Sequence, residues 1–517
     1  MSLQLNHSIR LYFPYTFDSS SIPSEYTKLS DGLTKLNVSD LAENLPFLNN
    51  NIHKNLLESK IWESNNYKLD KKLHSFTSKL VNGIKEAPLS NGFFGMQPLR
   101  VTKNALRVLN QGTLSELGKG LLISLKKSAM NRLMEHDISP PIENAYWPLM
   151  FNSIWFYGLN TGVGMMVVDM SFKQPGKNGL SISHLEELQE INYILCRNNN
   201  DNQSAIISSS IDSNKSNKYK IKGLSDLVDA LLPVSTGTSI NLKTTNDRHN
   251  TYAYTTVGTI QELEYKQRKE YLFRLVRKYN NLYLPENVEQ QINYFEPFRP
   301  ITHAFSLEGS ASYVDYSVYN DNIPELIENF NKSVVPLAYA PLVLLTYAEY
   351  IFLREMVANP ADSERVDMQN PTSENLEKLR VFKTKLYDFK LNFRYTQISA
   401  NTNHNLFCKA NKNALEINQL LNETSNDTNE LELYIADQVS KKQEARLKKY
   451  GIMGTLFAVI ISWVDLWGLN IHGILFENQD TNIYSIVIFL IVLVILVVFV
   501  ILYSQDPSSD NSISNDD

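Results

Sequence analysis

The chain has 517 residues, 43% of them hydrophobic, and a formal charge of −6. That content sustains a sizeable buried core and excludes a wholly disordered chain. The small net charge, with no arginine-rich patch interleaved with aromatics, argues against a nucleic-acid groove. Cys196 and Cys408 are the only cysteines, so one chain assembles neither a disulfide framework nor a cysteine-based zinc site, a usage suited to a reducing cytoplasm.

The first ten residues lack a basic region followed by an apolar core, so no secretory signal is expected there. Aromatic and β-branched runs at 10–17, 153–172, 251–257 and 303–317 predict strands or hairpins. Helices are predicted at 114–135, 183–197, 224–232 and 260–279, which makes residues 1–330 an α/β or α+β cytosolic sensor domain. The Asn/Ser-rich stretch 197–218 predicts a loop. Thr161-Gly162-Val163-Gly164 and the Ser/Thr/Gly run 235–239 have the composition of phosphate-cradling backbone, but hairpin turns share it. Residues 1–330 contain no P-loop, dinucleotide fingerprint or metalloprotease helix, so no catalytic activity and no organic cofactor are expected. The nine histidines are scattered and read as surface or core residues, and Lys126, Lys127 and Arg132 read as a solvated helix face.

Residues 334–352 are apolar enough to tempt a membrane assignment, but Pro336, Pro341 and Glu349 favour a buried helix. The region 331–450 is read as helical. Within it a stalk runs from Pro371 to Lys449, with Leu376, Leu379, Phe382, Leu386, Phe389 and Phe393 forming one apolar stripe. The Asn/Thr/Ser-rich segment 422–429 is expected to break it.

The C-terminal part carries the membrane signal. Residues 483–503 hold an unbroken apolar run, and at about 1.5 Å per residue the segment crosses roughly 30 Å of hydrocarbon. Residues 451–467 are shorter and less apolar, as expected of an inner span facing protein or water. Lys441, Lys442, Arg446, Lys448 and Lys449 precede this span, whereas 468–482 has no lysine or arginine, which predicts a multi-pass protein of the inner (plasma) membrane with both termini cytoplasmic. The tail 504–517 is polar and acidic, predicting disorder.

Trp467-Gly468-Leu469-Asn470 stands at the outer end of the first span, before the loop 468–482 and the second span. Here the chain resembles the CorA family of divalent-cation channels, whose pore helix ends in Tyr-Gly-Met-Asn; Gly468 and Asn470 match, while Trp467 and Leu469 replace Tyr and Met. The resemblance covers roughly 371–503, and its specific part is the last seventy residues or so. It implies a homopentamer with Mg²⁺ or another divalent cation as permeant or regulatory ion. An Asn470 ring would offer carbonyl oxygens to a hydrated cation, and Gly468 would let the backbone leave the helix sharply. Counting back from Asn470 places Asp465, Ile461, Ala458 and Gly454 on one proposed pore-lining face, with Asp465 and Asn470 as cation-facing groups. Asp465 stands where the family has a small neutral residue, and the tail is acidic where the family's is basic. The architecture is also similar to the CorA-like effectors associated with type III CRISPR defence, whose cytosolic domains are thought to sense a nucleotide second messenger, the SAM-AMP conjugate. The expected function is therefore a cation channel gated by a small cytosolic ligand, with nucleotide-gated permeabilisation in antiviral defence as the alternative. A membrane-anchored binding domain without conduction is the third reading. The expected partners are the bilayer, further copies of the chain and that ligand.

Overall fold

The computed structural model describes residues 6–17, 22–45, 54–83, 95–114, 119–125, 146–172, 185–196, 205–210, 220–221, 224–232, 242–244, 251–279, 285–319, 323–358, 373–392 and 397–474. It is mixed α/β with long helices. The strands are β1 (Asn6–Phe17), β2 (Trp62–Ser64), β3 (Leu99–Val101), β4 (Lys119–Leu125), β5 (Tyr146–Gly158), β6 (Val163–Phe172), β7 (Ala205–Ser210), β8 (Lys220–Ile221), β9 (Leu242–Thr244), β10 (Tyr252–Thr259), β11 (Asn293–Phe298), β12 (Ile301–Phe305) and β13 (Gly309–Asp315). They pair in the order β11-β12-β13-β10-β1-β6-β5-β4-β7-β8, with β2 and β3 branching from β5 and β9 pairing with β1. The β10–β13 pair is parallel, and the helix Tyr265–Arg277 lies in the chain between them.

Two compact units divide the chain, residues 1–365 with 381–428, and residues 366–380 with 429–517. In the first, β6 is buried along its whole length, which is the pattern of a strand covered on both faces. Ile9, Leu11, Ile154, Phe156, Met166 and Val168 belong to one core cluster; Tyr12, Trp155, Tyr157, Met165 and Val167 belong to another. These are alternate positions along the same strands, so each cluster lies on its own face of the sheet.

The second cluster is capped by helices that the sequence reading assigned to the region 331–450. A π-helix, Phe330–Tyr339, leads into the helix Ala340–Ala358. Together they are long and apolar enough to cross a membrane, yet 78% of the most apolar window is buried inside the structure, in agreement with a core helix. Glu349, whose charge argued against a span, forms a buried ion pair with Lys412 at 2.6 Å. The helix Thr402–Ala414 supplies that lysine. Its Asn411, fully buried, accepts from Tyr252 Oη at 3.1 Å and donates to Thr346 Oγ1 at 2.5 Å, tying β10 to both helices. The boundary expected at residue 330 is therefore not a domain boundary.

Other expectations also change. Residues 119–125, read as helix, form β4, which pairs with both β5 and β7; the apolar run between Gly120 and Leu125 satisfies a strand as readily as a helix. Residues 205–210, read as loop, form β7. The stalk is the helices Ser373–Asn392, Thr402–Ala414 and Ile417–Ile474, with Glu416 at φ 52° between the last two. The 422–429 segment does not break the helix. The hydroxyls of Thr424 and Thr428 donate to the carbonyls of Leu420 and Thr424, satisfying the polar groups within the helix itself. The apolar stripe divides: Leu386 and Phe389 enter the second core cluster, whereas Leu379 packs with Ile435 and Val439 in the second unit. Phe393 lies outside the described residues, as do 126–145, 235–239 and 483–517.

His303 on β12 is fully buried among Phe295, Phe305, Phe330, Tyr339 and Phe407, and its Nδ1 is 2.6 Å from Ser312 Oγ. Burial pushes its pKa down to about 3. The folded state then holds a neutral imidazole where the unfolded chain takes up a proton, so this contribution is complete above about pH 6.5. It falls by about 1.4 kcal/mol per unit as pH drops from there toward 3. In the purified full-length protein, His303→Phe should shrink the loss of thermal midpoint between pH 7 and pH 5, a difference of about 2 kcal/mol. An unchanged loss would show that His303 does not set this acid sensitivity.

Candidate functional site

Strand register assembles a pocket from distant parts of the chain. Arg10 on β1 stands opposite Asp169 on β6, which stands opposite Ser153 on β5. One rung on, Tyr12, Val167 and Trp155 are aligned in the same way. Alternate side chains share a face, so a salt bridge and an aromatic row lie side by side there. With Tyr67, Val81, Tyr157, Ala340, Pro341 and Leu344 they line a small cavity of about 20 Å³, room for about one water. Tyr67 and Ser153 remain partly exposed and mark its solvent side, whereas Arg10, Tyr12 and Ala340 are buried.

The polar end is built around Asp169. Its Oδ2 is 2.9 Å from Arg10 Nη2. Its Oδ1 accepts from Ser8 Oγ at 2.5 Å and from Asn152 Nδ2 at 3.1 Å. Asn152 is available because β5 bulges between Phe151 and Ser153, a local irregularity that re-aims one side chain. Asp169 is thus supplied with donors, but Arg10 is only partly supplied with acceptors: its Nη1 is buried and has no hydrogen-bond partner. Burial acts to lower the Arg10 pKa, but Asp169 and neighbouring tyrosines outweigh it and leave it raised, so the guanidinium is charged.

The apolar end is aromatic. Trp155 and Tyr157 stack at 6.0 Å, and Tyr67 meets them edge-on at 5.0 and 6.2 Å. Arg100, the cross-strand partner of Trp155, lies over the indole at 5.4 Å. Tyr67 Oη donates to Pro336 O at 2.6 Å and Tyr12 Oη to Ala340 O at 3.4 Å, so two wall residues are hydrogen-bonded to the backbone around the π-helix junction. Burial pushes the Tyr67 phenol up to about 12, and those of Tyr12 and Tyr157 well above their ordinary value, so the walls stay neutral.

The residues singled out in the sequence lie elsewhere. Gly454, Ala458 and Ile461 are on the helix Ile417–Ile474 and exposed in the single chain. Asp465, Gly468, Leu469 and Asn470 belong to the backbone of the same helix. It continues through residues 468–474, which were expected in the outer loop, so Gly468 does not end it; helical hydrogen bonding tolerates an isolated glycine at a cost of about 1 kcal/mol. The similar tripeptide Gly158-Leu159-Asn160 closes the β5–β6 hairpin. Gly162, at φ 92°, donates there to Leu159 O, so Thr161 and Gly162 sit in the turn and Val163 and Gly164 begin β6. Among the described residues no group of three or more His, Cys, Asp or Glu could hold a metal ion. Sequence reasoning missed Arg10 and Asp169, although each is a lone charge in an apolar strand, of opposite sign, a signal that could have paired them.

No protein-family model matches the chain, and no curated protein matches it.

Removing one partner of the salt bridge strands the other. Asp169→Leu should therefore destabilise the protein by about 3–5 kcal/mol, and adding Arg10→Met should recover part of that loss. Thermal midpoints of the single and double variants check this; fully additive losses would mean that the two residues do not act as a pair.

Proposed function

We propose that the chain is a CorA-like cation channel of the inner (plasma) membrane, opened or closed by its cytosolic α/β domain. The observation that carries the reading is the helix Ile417–Ile474, whose segment after the basic residues 441–449 presents apolar side chains to solvent. Ile452 is 49%, Phe457 53%, Val459 62% and Ile461 59% exposed. Apolar surface contiguous along a helix needs lipid or other protein to cover it. A second span at 483–503 and further copies of the chain supply both. By the CorA resemblance five copies surround the axis, with both termini cytoplasmic, and Glu477 and Asp480 make the outer loop acidic and concentrate cations there.

In this reading Gly454, Ala458, Ile461 and Asp465 line the pore from one helix face, and Asn470 is assigned to its mouth by the family motif. A carboxylate in a span costs roughly 2.5–3.5 kcal/mol at mid-membrane, so Asp465 faces the water column. Asn470 offers oxygens to the hydration shell of Mg²⁺ or another divalent ion, with Gly468 and Leu469 completing the motif. Shifting a gate from 1:99 to 99:1 takes about 5.5 kcal/mol, roughly 1 kcal/mol for each of five subunits. Mg²⁺ on the cytosolic side is one candidate ligand. A second reading rests on the likeness to the CorA-like effectors: a nucleotide messenger of the SAM-AMP type opens the pore for antiviral permeabilisation.

Flux through the purified protein in liposomes is the test. Asn470→Ala should impair selection of divalent cations, and Asp465→Asn should lower the preference for cations over anions. Flux unchanged in both variants would overturn the pore face, and no flux under any condition would leave a membrane-anchored binding protein.

A further inference from the structure

We infer that the basic segment Lys441–Lys449 is a docking surface for anionic phospholipid headgroups, its five cations standing on two stripes of the helix Ile417–Ile474 that face away from the pore seam. The inference deepens the reading of residues 451–467 as a span by naming the lipid class around it, and rests on that reading for the depth at which the cations lie.

Charge is unbalanced here. Between residues 438 and 462 the chain carries Lys441, Lys442, Arg446, Lys448 and Lys449 against a single carboxylate, Glu444. Lys441 is held by Asp437 at 2.6 Å, but both side chains are more than half exposed, so water screens the pair. Lys442, Arg446, Lys448 and Lys449 have no ion-pair partner among the described residues. A run of uncompensated cations at the cytoplasmic end of a span is complementary to an anionic leaflet.

Because the helix is continuous through this segment, its period fixes the side on which each cation stands. Leu447, Tyr450, Gly454, Phe457 and Ile461 recur at three- and four-residue steps and form one exposed seam, which includes the pore-lining Gly454 and Ile461. No cation falls on it. Arg446 and Lys449 lead instead into Met453, Leu456 and Ile460, and Lys448 leads into Ile452, Thr455 and Val459, by the same steps. Lys442 lies one turn before Arg446, and Lys441 two turns before Lys448, on the same two stripes. Those stripes are left to lipid once other copies take the seam. At about 1.5 Å per residue, Arg446, Lys448 and Lys449 lie within about 8 Å of residue 451, the depth of the headgroup layer, and Lys441 within about 15 Å. Long basic side chains reach that layer by laying their stems along apolar surface. The cations are spread over two sides of one exposed helix and do not converge on a cavity, which suits a sheet of headgroups better than one dissolved anion. Each is expected to strengthen attachment to an anionic surface about fivefold.

The experiment uses full-length protein in phosphatidylcholine vesicles containing spin-labelled phosphatidylglycerol or spin-labelled phosphatidylcholine, with the lipid immobilised at the protein read by electron paramagnetic resonance. Phosphatidylglycerol should be preferred about threefold or more in about 50 mM NaCl and approach parity in about 500 mM. Lys441→Gln, Lys442→Gln, Arg446→Gln, Lys448→Gln and Lys449→Gln together should abolish the preference at low salt. Lys266→Gln with Lys332→Gln, which removes exposed cations of the α/β domain, should leave it intact. Sodium phosphate at matched ionic strength should weaken the preference no more than NaCl does; outright displacement of the lipid would replace the inference with a free-anion site. Equal affinity for the two lipids, or an equal loss in both variants, would overturn it. Protein that alkaline carbonate strips from the vesicles, yet which shows the headgroup preference, would sink the spanning reading and keep this one. Protein that stays embedded and shows no preference would do the reverse.

Discussion

A guanidinium in the middle of a sheet cannot be left to water, and how Arg10 is compensated governs what surrounds it. Its partner Asp169 is placed by register alone, since the two residues are directly opposed on neighbouring strands. A slip of one residue would send one of them to the other face, where Ile9, Leu11, Met166 and Val168 pack. The pair therefore specifies the alignment of β1 with β6, and through β6 that of β5 with its bulge at Asn152. Once that alignment holds, the aromatic row beside it follows without further instruction.

The same face must be covered, and its cover explains the most hydrophobic helix outside the C-terminal region. The Phe330–Tyr339 and Ala340–Ala358 helices are apolar on most sides because they are enclosed between the sheet and the helix Thr402–Ala414. Several of their polar groups are matched across elements: Glu349 with Lys412, Thr346 with Asn411, and two backbone carbonyls with Tyr67 and Tyr12. Buried charges and amides of this kind add little net stability but penalise alternative packings. The pocket beside them is bounded by the same two elements, sheet and helix, so its shape depends on how the helix seats.

Where the sequence was legible, the reason was local. Strands at Arg10–Phe17 and through the β5–β6 hairpin are visible because β-branched and aromatic residues recur between turn residues, and the burial of 334–352 could be anticipated from two prolines and a glutamate within a short apolar run. Where it failed, local signals were ambiguous or overruled. The apolar run of β4 suits either period, and only pairing with β5 and β7 decides it. Composition marked 422–429 as a breaker, but two threonines satisfy themselves on the preceding turn and the helix continues.

By itself, then, the sequence determined the apolar C-terminal segments, the basic run before them and the alternation of strands, all of which depend on residues close in the chain. Tertiary structure alone decided the pocket. Arg10, Tyr67, Trp155, Asp169 and Ala340 come from distant parts of the sequence, and no periodicity encodes their meeting. What brings them together is cross-strand register and the seating of one helix on one face of the sheet, properties of the folded chain that exist only once long-range pairing has chosen which strands are neighbours.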